Sequence, residues 1–173
     1  MSMKKILPLK QQDDCACGPT SVQMVVNYFD LPFSFEDIAK LSRYRKIGGM
    51  TNVGLVETLK KIGLHVREKS SSQWGDIMRS NTKDTVIVVS WMMFGYIGHF
   101  SVVEKIDKDH IYLADPHVGK VTKMEKVIFM RLWMDYDQCW YPKKNTDIQL
   151  RWMAVVSRKG TKKAGTFPLT LVR

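Results

Sequence analysis

The chain has 173 residues, 45% of them hydrophobic, which suits one globular domain with its own core and argues against a low-complexity or repeat protein. Lys and Arg number 27 against 17 Asp and Glu, a net charge of +10 that favours acidic partners, yet the only dense basic cluster is "RKGTKKAG" at 158–165. Three cysteines, an odd and low number, argue against a disulfide framework and for a reducing compartment.

"MKKILPL" has a basic start but too short an apolar run for a secretory signal. The longest uncharged stretch, "TVIVVSWMMFGYIGHF" at 85–100, falls short of the roughly 20 residues a membrane helix needs. The expectation is a cytoplasmic protein with no membrane span and no specific nucleic-acid partner. A single domain is expected over 1–160, followed by a basic tail over 161–173.

In chain order, Pro19 is suited to a helix start, and Val22, Val25, Val26 and Phe29 recur at helical spacing, so a first helix is expected over 19–29. Cys17 and Gly18 then stand at its N-terminal mouth. "SFEDIAKLSR" begins with Ser34, and Asp37 three residues on reads as a capping box. "TNVGLVETLKKIG" carries Val53, Leu55, Val56, Leu59 and Ile62 on one side, with Gly63 as the stop. "SQWGDIMRS" reads as a short fourth helix.

The texture then changes. "TVIVVSW" is a strand by composition. "HFSVVEKI" and "HIYLADP", separated by "DKD", read as a β-hairpin. "KMEKVIFMRLW" fits a helix or a strand, and "LRWMAVVSR" a last strand. Helices first and strands later imply an α+β fold with a largely antiparallel sheet.

The chemistry centres on Cys17. A thiolate is the nucleophilic form of cysteine, and a helix N-terminus favours it. Gly18 beside it allows close backbone approach. A nucleophile also needs a base, and a carboxylate that orients an imidazole supports its charged form. His99 begins one hairpin strand and Asp115 ends the other. With a three-residue loop Asp107-Lys108-Asp109, His99 and Asp115 share a face of the hairpin. An even loop separates them unless a bulge intervenes. Gln11 and Gln12 precede Cys17 by six and five residues, and either could offer an oxyanion donor.

The blander readings differ. Cys17 would be a packed small residue, His99 a satisfied polar residue, Asp115 a turn residue and Gln11 plain surface. Cys15 and Cys17 lie too close together for the usual structural zinc pair, so no metal is expected. Trp91, Met92, Met93 and Phe94 read as core first and as a substrate groove second.

Taken together, "Q-x5-CGPTS-x2-M-x3-Y-F", "GHFSVV" and "IYLADP" resemble the bacteriocin-processing, double-glycine cysteine peptidases, over Gln11 to Gly119. The resemblance implies a papain-like α+β fold, with N-terminal helices packed on an antiparallel sheet. It assigns Cys17 as nucleophile, His99 as base, Asp115 as the orienting acid and Gln11 as the oxyanion donor, with no cofactor. It implies cleavage after small residues, Gly-Gly above all, of a peptide substrate, and an export transporter encoded separately. The family's acid directly before the catalytic cysteine is displaced here, since Asp14 precedes Cys15; "CGPTS" is closer to the stand-alone branch. A deamidase or transferase with the same fold, and a silent peptide-binding module, remain the alternatives.

Overall fold

The computed structural model describes residues 5–45, 48–136 and 141–159; the basic tail expected over 161–173 lies outside them. Local chemistry sets the helix boundaries. Helix α1 spans Cys17–Tyr28, two residues earlier than expected from Pro19. Pro19 sits within the first turn, where its missing N–H would have had no helical partner. Helix α2 (Phe35–Ser42) starts at the expected box: the Ser34 hydroxyl accepts the Asp37 N–H at 3.1 Å, and the Asp37 carboxylate accepts the Ser34 N–H at 3.0 Å. Helix α3 (Asn52–Lys61) is capped by the Thr51 hydroxyl and stops before Gly63, whose φ of +100° suits glycine. Val53, expected to face inward, is exposed. Helices α4 (Trp74–Ser80) and α5 (Lys126–Leu132) are short.

The strands are β1 (Leu64–Lys69), β2 (Thr85–Met93), β3 (Ile97–Ile106), β4 (His110–Asp115), β5 (Lys120–Glu125), β6 (Met134–Tyr136), β7 (Ile148–Leu150) and β8 (Met153–Arg158). Six form one antiparallel sheet in the order β1-β8-β2-β3-β4-β5, and β6 pairs with β7 in a separate ribbon. The central strand β2 is buried at every position, which is why its sequence is a continuous apolar run. The edge strands β1 and β5 carry Arg67, Glu68, Lys69, Lys120 and Lys123, charges suited to an exposed edge. That polarity hid β1 and the start of β5 from sequence reading. The ambiguous segment 123–133 is strand up to Glu125 and helix from Lys126.

Helices α1 to α3 cover one sheet face, packing Val22, Val25, Val26, Leu55 and Leu59 on Val86, Val88, Phe100, Val102 and Ala154. Helices α4 and α5 help to cover the other, where Trp74, Ile77, Phe129 and Trp133 meet Ile87, Val89, Val103, Leu113 and Val155. The fold is α+β with N-terminal helices on an antiparallel sheet, as expected, and has a second helical layer besides. Truncating the buried Phe129 to alanine would cost about 3–5 kcal/mol.

The β3–β4 hairpin corrects the expected loop. Ile106 pairs with Ile111, not His110, and Asp107 N–H donates to the His110 carbonyl at 2.9 Å, so the loop is the two residues Lys108 and Asp109. The cause is the Asp107 carboxylate, which accepts the N–H groups of Asp109 and His110 at 2.9 and 2.8 Å and tightens the turn. Such a loop alone would put His99 and Asp115 on opposite faces. A bulge at Glu104, between Val103 and Lys105, absorbs the extra residue. Beyond it Val102 pairs with Ala114, and continuing that register sets Ser101 across from Asp115 with His99 on the same face.

Candidate active site

Three of the four expected site residues converge. His99 and Asp115 are both buried, and His99 Nε2 lies 2.7 Å from Asp115 Oδ1. Asp115 Oδ1 also accepts the His117 N–H at 2.9 Å. Cys17 lies close enough to the His99 ring to act on its charge; with Nε2 engaged by Asp115, Nδ1 is the nitrogen left to face the sulfur. Burial works against a charge on His99. The hydrogen bond to Asp115, and the influence of Cys17 and of the two charges, outweigh burial and raise its pKa from 6.5 to about 9. Trp91 stands edge-on to the His99 ring at 5.7 Å, and its indole N–H donates to Ser101 at 3.1 Å, walling the imidazole in.

Cys17 opens α1. The first N–H groups of a helix have no partner within it, and here Pro19 has none to give while Thr20 N–H bonds the Ala16 carbonyl. Cys17 and Gly18 thus hold the first turn's N–H donors, beside the sulfur.

Gln11 is half-buried and Gln12 exposed, which favours the first of the two candidates. Gln11 is tied to the hairpin by its N–H, which donates to the Pro116 carbonyl at 2.8 Å. Its side-chain amide donates to the Asp13 carbonyl at 2.7 Å, so one of its two N–H donors is engaged. Gln11, Lys10, Gln12, Asp13, Asp14, His117 and Val118 line a hollow of about 540 Å³.

A cysteine at a helix N-terminus beside a histidine that a carboxylate holds is an arrangement for acyl transfer. The model of the peptidase C39 family matches residues 5–145. The chain belongs to the peptidase C39 family. It is 29% identical over 126 residues to the transport/processing ATP-binding protein ComA of Streptococcus pneumoniae strain R6, covering 71% of this chain but 17% of that protein. The chain therefore spans about a sixth of that relative. Among solved structures it is similar to the peptidase domain of Streptococcus ComA, with a TM-score of 0.67 and 20% identity over 89% of this chain and 99% of that one. It is also similar to a double glycine motif protease from an AMS/PCAT transporter in complex with its leader peptide, with a TM-score of 0.65 and 16% identity over 91% and 96% of the two chains. C39 proteins are cysteine peptidases, and the papain-like fold expected from the sequence is the fold of this chain.

Within this C39 domain, sequence reading missed Asp13. Its carboxylate accepts the Cys15 N–H and the Tyr44 hydroxyl, both at 2.9 Å, and its carbonyl accepts the Gln11 amide and the Ala16 N–H. One residue thus shapes the whole approach to Cys17. An Asp two residues before a backbone donor is a known turn former, and "D-x-C" at 13–15 was the available signal. Of the aromatic run, Trp91, Met92 and Met93 are core, while Phe94 is exposed and meets the His117 ring at 5.6 Å. Cys139 lies outside the described residues. Among those described, no group of three His, Cys, Asp or Glu is placed to hold a metal, and no helix is long and apolar enough to cross a membrane.

Proposed function

We propose that this chain cleaves a peptide bond of a leader-bearing substrate after small residues, Gly-Gly above all, with Cys17 as nucleophile. The observation that carries the reading is the His99–Asp115 hydrogen bond beside Cys17 at the mouth of α1. Cys17 attacks the scissile carbonyl carbon as the thiolate, its proton held on His99. The carbonyl oxygen becomes an oxyanion, received by the Cys17 backbone N–H and the Gln11 amide. As the tetrahedral intermediate collapses, the C–N bond breaks and His99 gives its proton to the leaving amine. Water, deprotonated by His99, then hydrolyses the thioester. Asp115 fixes the ring so that Nδ1 faces sulfur throughout.

The Gly-Gly preference comes from the family and from the leader-peptide complex of the similar protease. A net charge of +10 favours an acidic leader. The reading places the protein in the cytoplasm, with a separately encoded export transporter as partner. Incubation with a synthetic Gly-Gly leader peptide, read by mass spectrometry, tests it. Two fragments summing to the peptide plus one water, lost in Cys17→Ala, are expected. An intact peptide gaining about one mass unit, or an adduct, would replace the peptidase with a deamidase or transferase.

A further inference from the structure

One turn touches both halves of the site. Between β4 and β5 the chain reverses over residues 116–119. At the entrance of the turn, the Asp115 carboxylate that holds His99 also accepts the His117 N–H at 2.9 Å, so one oxygen, Oδ1, serves both the ring and the turn. The Asp115 carbonyl accepts the Gly119 N–H at 2.8 Å and closes the turn. Pro116 between these bonds is buried, and its ring fixes its φ.

The same turn carries the segment that leads to Cys17. The Gln11 N–H donates to the Pro116 carbonyl at 2.8 Å. Beside that bond, Lys10 lies directly over Gly119: a methyl group on Gly119 would stand 2.7 Å from Lys10 Cβ, 3.1 Å from its Cα and 3.2 Å from its backbone N. Two of those atoms are backbone, so no side-chain rotation relieves the clash. Gly119 also has a φ of +69°, which other residues rarely adopt. Within Gln11 itself, the amide is aimed by its bond to the Asp13 carbonyl, and Oε1 is buried without a partner. Asp13 therefore aims the amide, while the turn decides where the residue stands.

We propose that Gly119 is a positioning residue of the reaction: it lets the backbone of Lys10 and Gln11 lie on the turn that also braces Asp115, and so sets the oxyanion donor in register with the His99–Asp115 pair. This rests on the reading of Gln11 as that donor. A side chain at position 119 lifts Lys10, strains the bond from Gln11 to Pro116 and displaces the Gln11 amide. Asp115 stays in place through its pairing with Lys120, and His99 through its pairing with Trp91.

The test follows acylation of Cys17 by a Gly-Gly peptide p-nitrophenyl ester, read as nitrophenolate release that Cys17→Ala abolishes. Alkylation of Cys17 by iodoacetamide, which forms no oxyanion, is the reference. Gln11→Ala is expected to slow acylation about 10²–10³-fold. Gly119→Ala should slow it about tenfold to a hundredfold and leave the alkylation rate unchanged. Added to Gln11→Ala, Gly119→Ala should cost less than about threefold more, because a donor already removed cannot be misplaced. Native acylation in Gly119→Ala, equal slowing of acylation and alkylation, or the full loss on top of Gln11→Ala overturns the positioning role. Should Gly119→Ala fail to fold, Gly119→Asn tolerates the positive φ, brings the same Cβ against Lys10 and carries the same comparison. A Gln11→Ala variant that acylates at the native rate overturns the oxyanion donor and the proposal with it. The ester needs no peptide cleavage, so failure of the peptidase reading is seen separately, as acylation by the ester while the leader peptide stays whole.

Discussion

The two regions that build the site are held in different ways. The β3–β4 hairpin places His99 and Asp115 by sheet register: His99 is paired with Trp91 of β2 and Asp115 with Lys120 of β5, and the ladder between β3 and β4 sets their relative phase. The segment Gln11–Ala16 places Cys17 and Gln11 by a few side-chain bonds, most of them made by Asp13. A ladder distributes its error over many bonds, whereas a loop pinned by one residue does not. The hairpin should therefore fail only when a reacting group is removed. The loop should fail when its pin is removed, although the pin touches no substrate.

The sharpest contrast comes from the hairpin itself. His99→Ala is expected to be nearly as damaging as Cys17→Ala, because the two act as a unit, while the melting temperature stays within a few degrees. A steady-state assay beside thermal unfolding checks both. Asp115→Asn should lower kcat by about 10²–10⁴ through the wrong tautomer. It should also move the alkaline limb of kcat/KM. Activity needs the His99 proton for the leaving amine, so it falls as pH rises through about 9. Removing the carboxylate that supports that charge lowers the His99 pKa, and the limb should shift to lower pH. A limb that stays in place would mean that Asp115 does not set the His99 charge.

In the loop, Gln11→Ala should cost about 10²–10³ in kcat if its amide is a main oxyanion donor. The exposed Gln12, changed to alanine, should cost almost nothing. The reverse order would move the oxyanion donor by one residue. Asp13→Ala should cost about tenfold to a hundredfold through misplacement of Cys17 and Gln11. Asp13→Asn, which can still accept the Cys15 N–H, should recover much of the loss. An Asp13→Ala variant as active as the native protein would remove the distinction between the two regions.

Much of this was readable from residues. Ser34 and Asp37, Thr51 and Gly63 carry their caps and stops in their own chemistry. The apolar run of β2 announced a buried strand. Cys17, His99 and Asp115 were placed together by motif and parity. What escaped depends on tertiary context. The charged edges β1 and β5 acquire their strand character only from the partners they pair with. The bulge at Glu104 is a compromise between a turn tightened by Asp107 and the register of the site; Glu104 also accepts the Ile6 N–H at 2.7 Å.

The central claim is that Cys17 and His99 form one reacting pair. The most direct measurement is the iodoacetamide labelling rate of each cysteine between mildly acidic and alkaline pH, by peptide mapping, in the native protein and in His99→Ala. Cys17 is expected to label fastest at mildly acidic pH in the native protein and to lose that advantage, by more than tenfold, in His99→Ala. Faster labelling of Cys15 or Cys139, or a Cys17 rate indifferent to His99→Ala, would contradict the account.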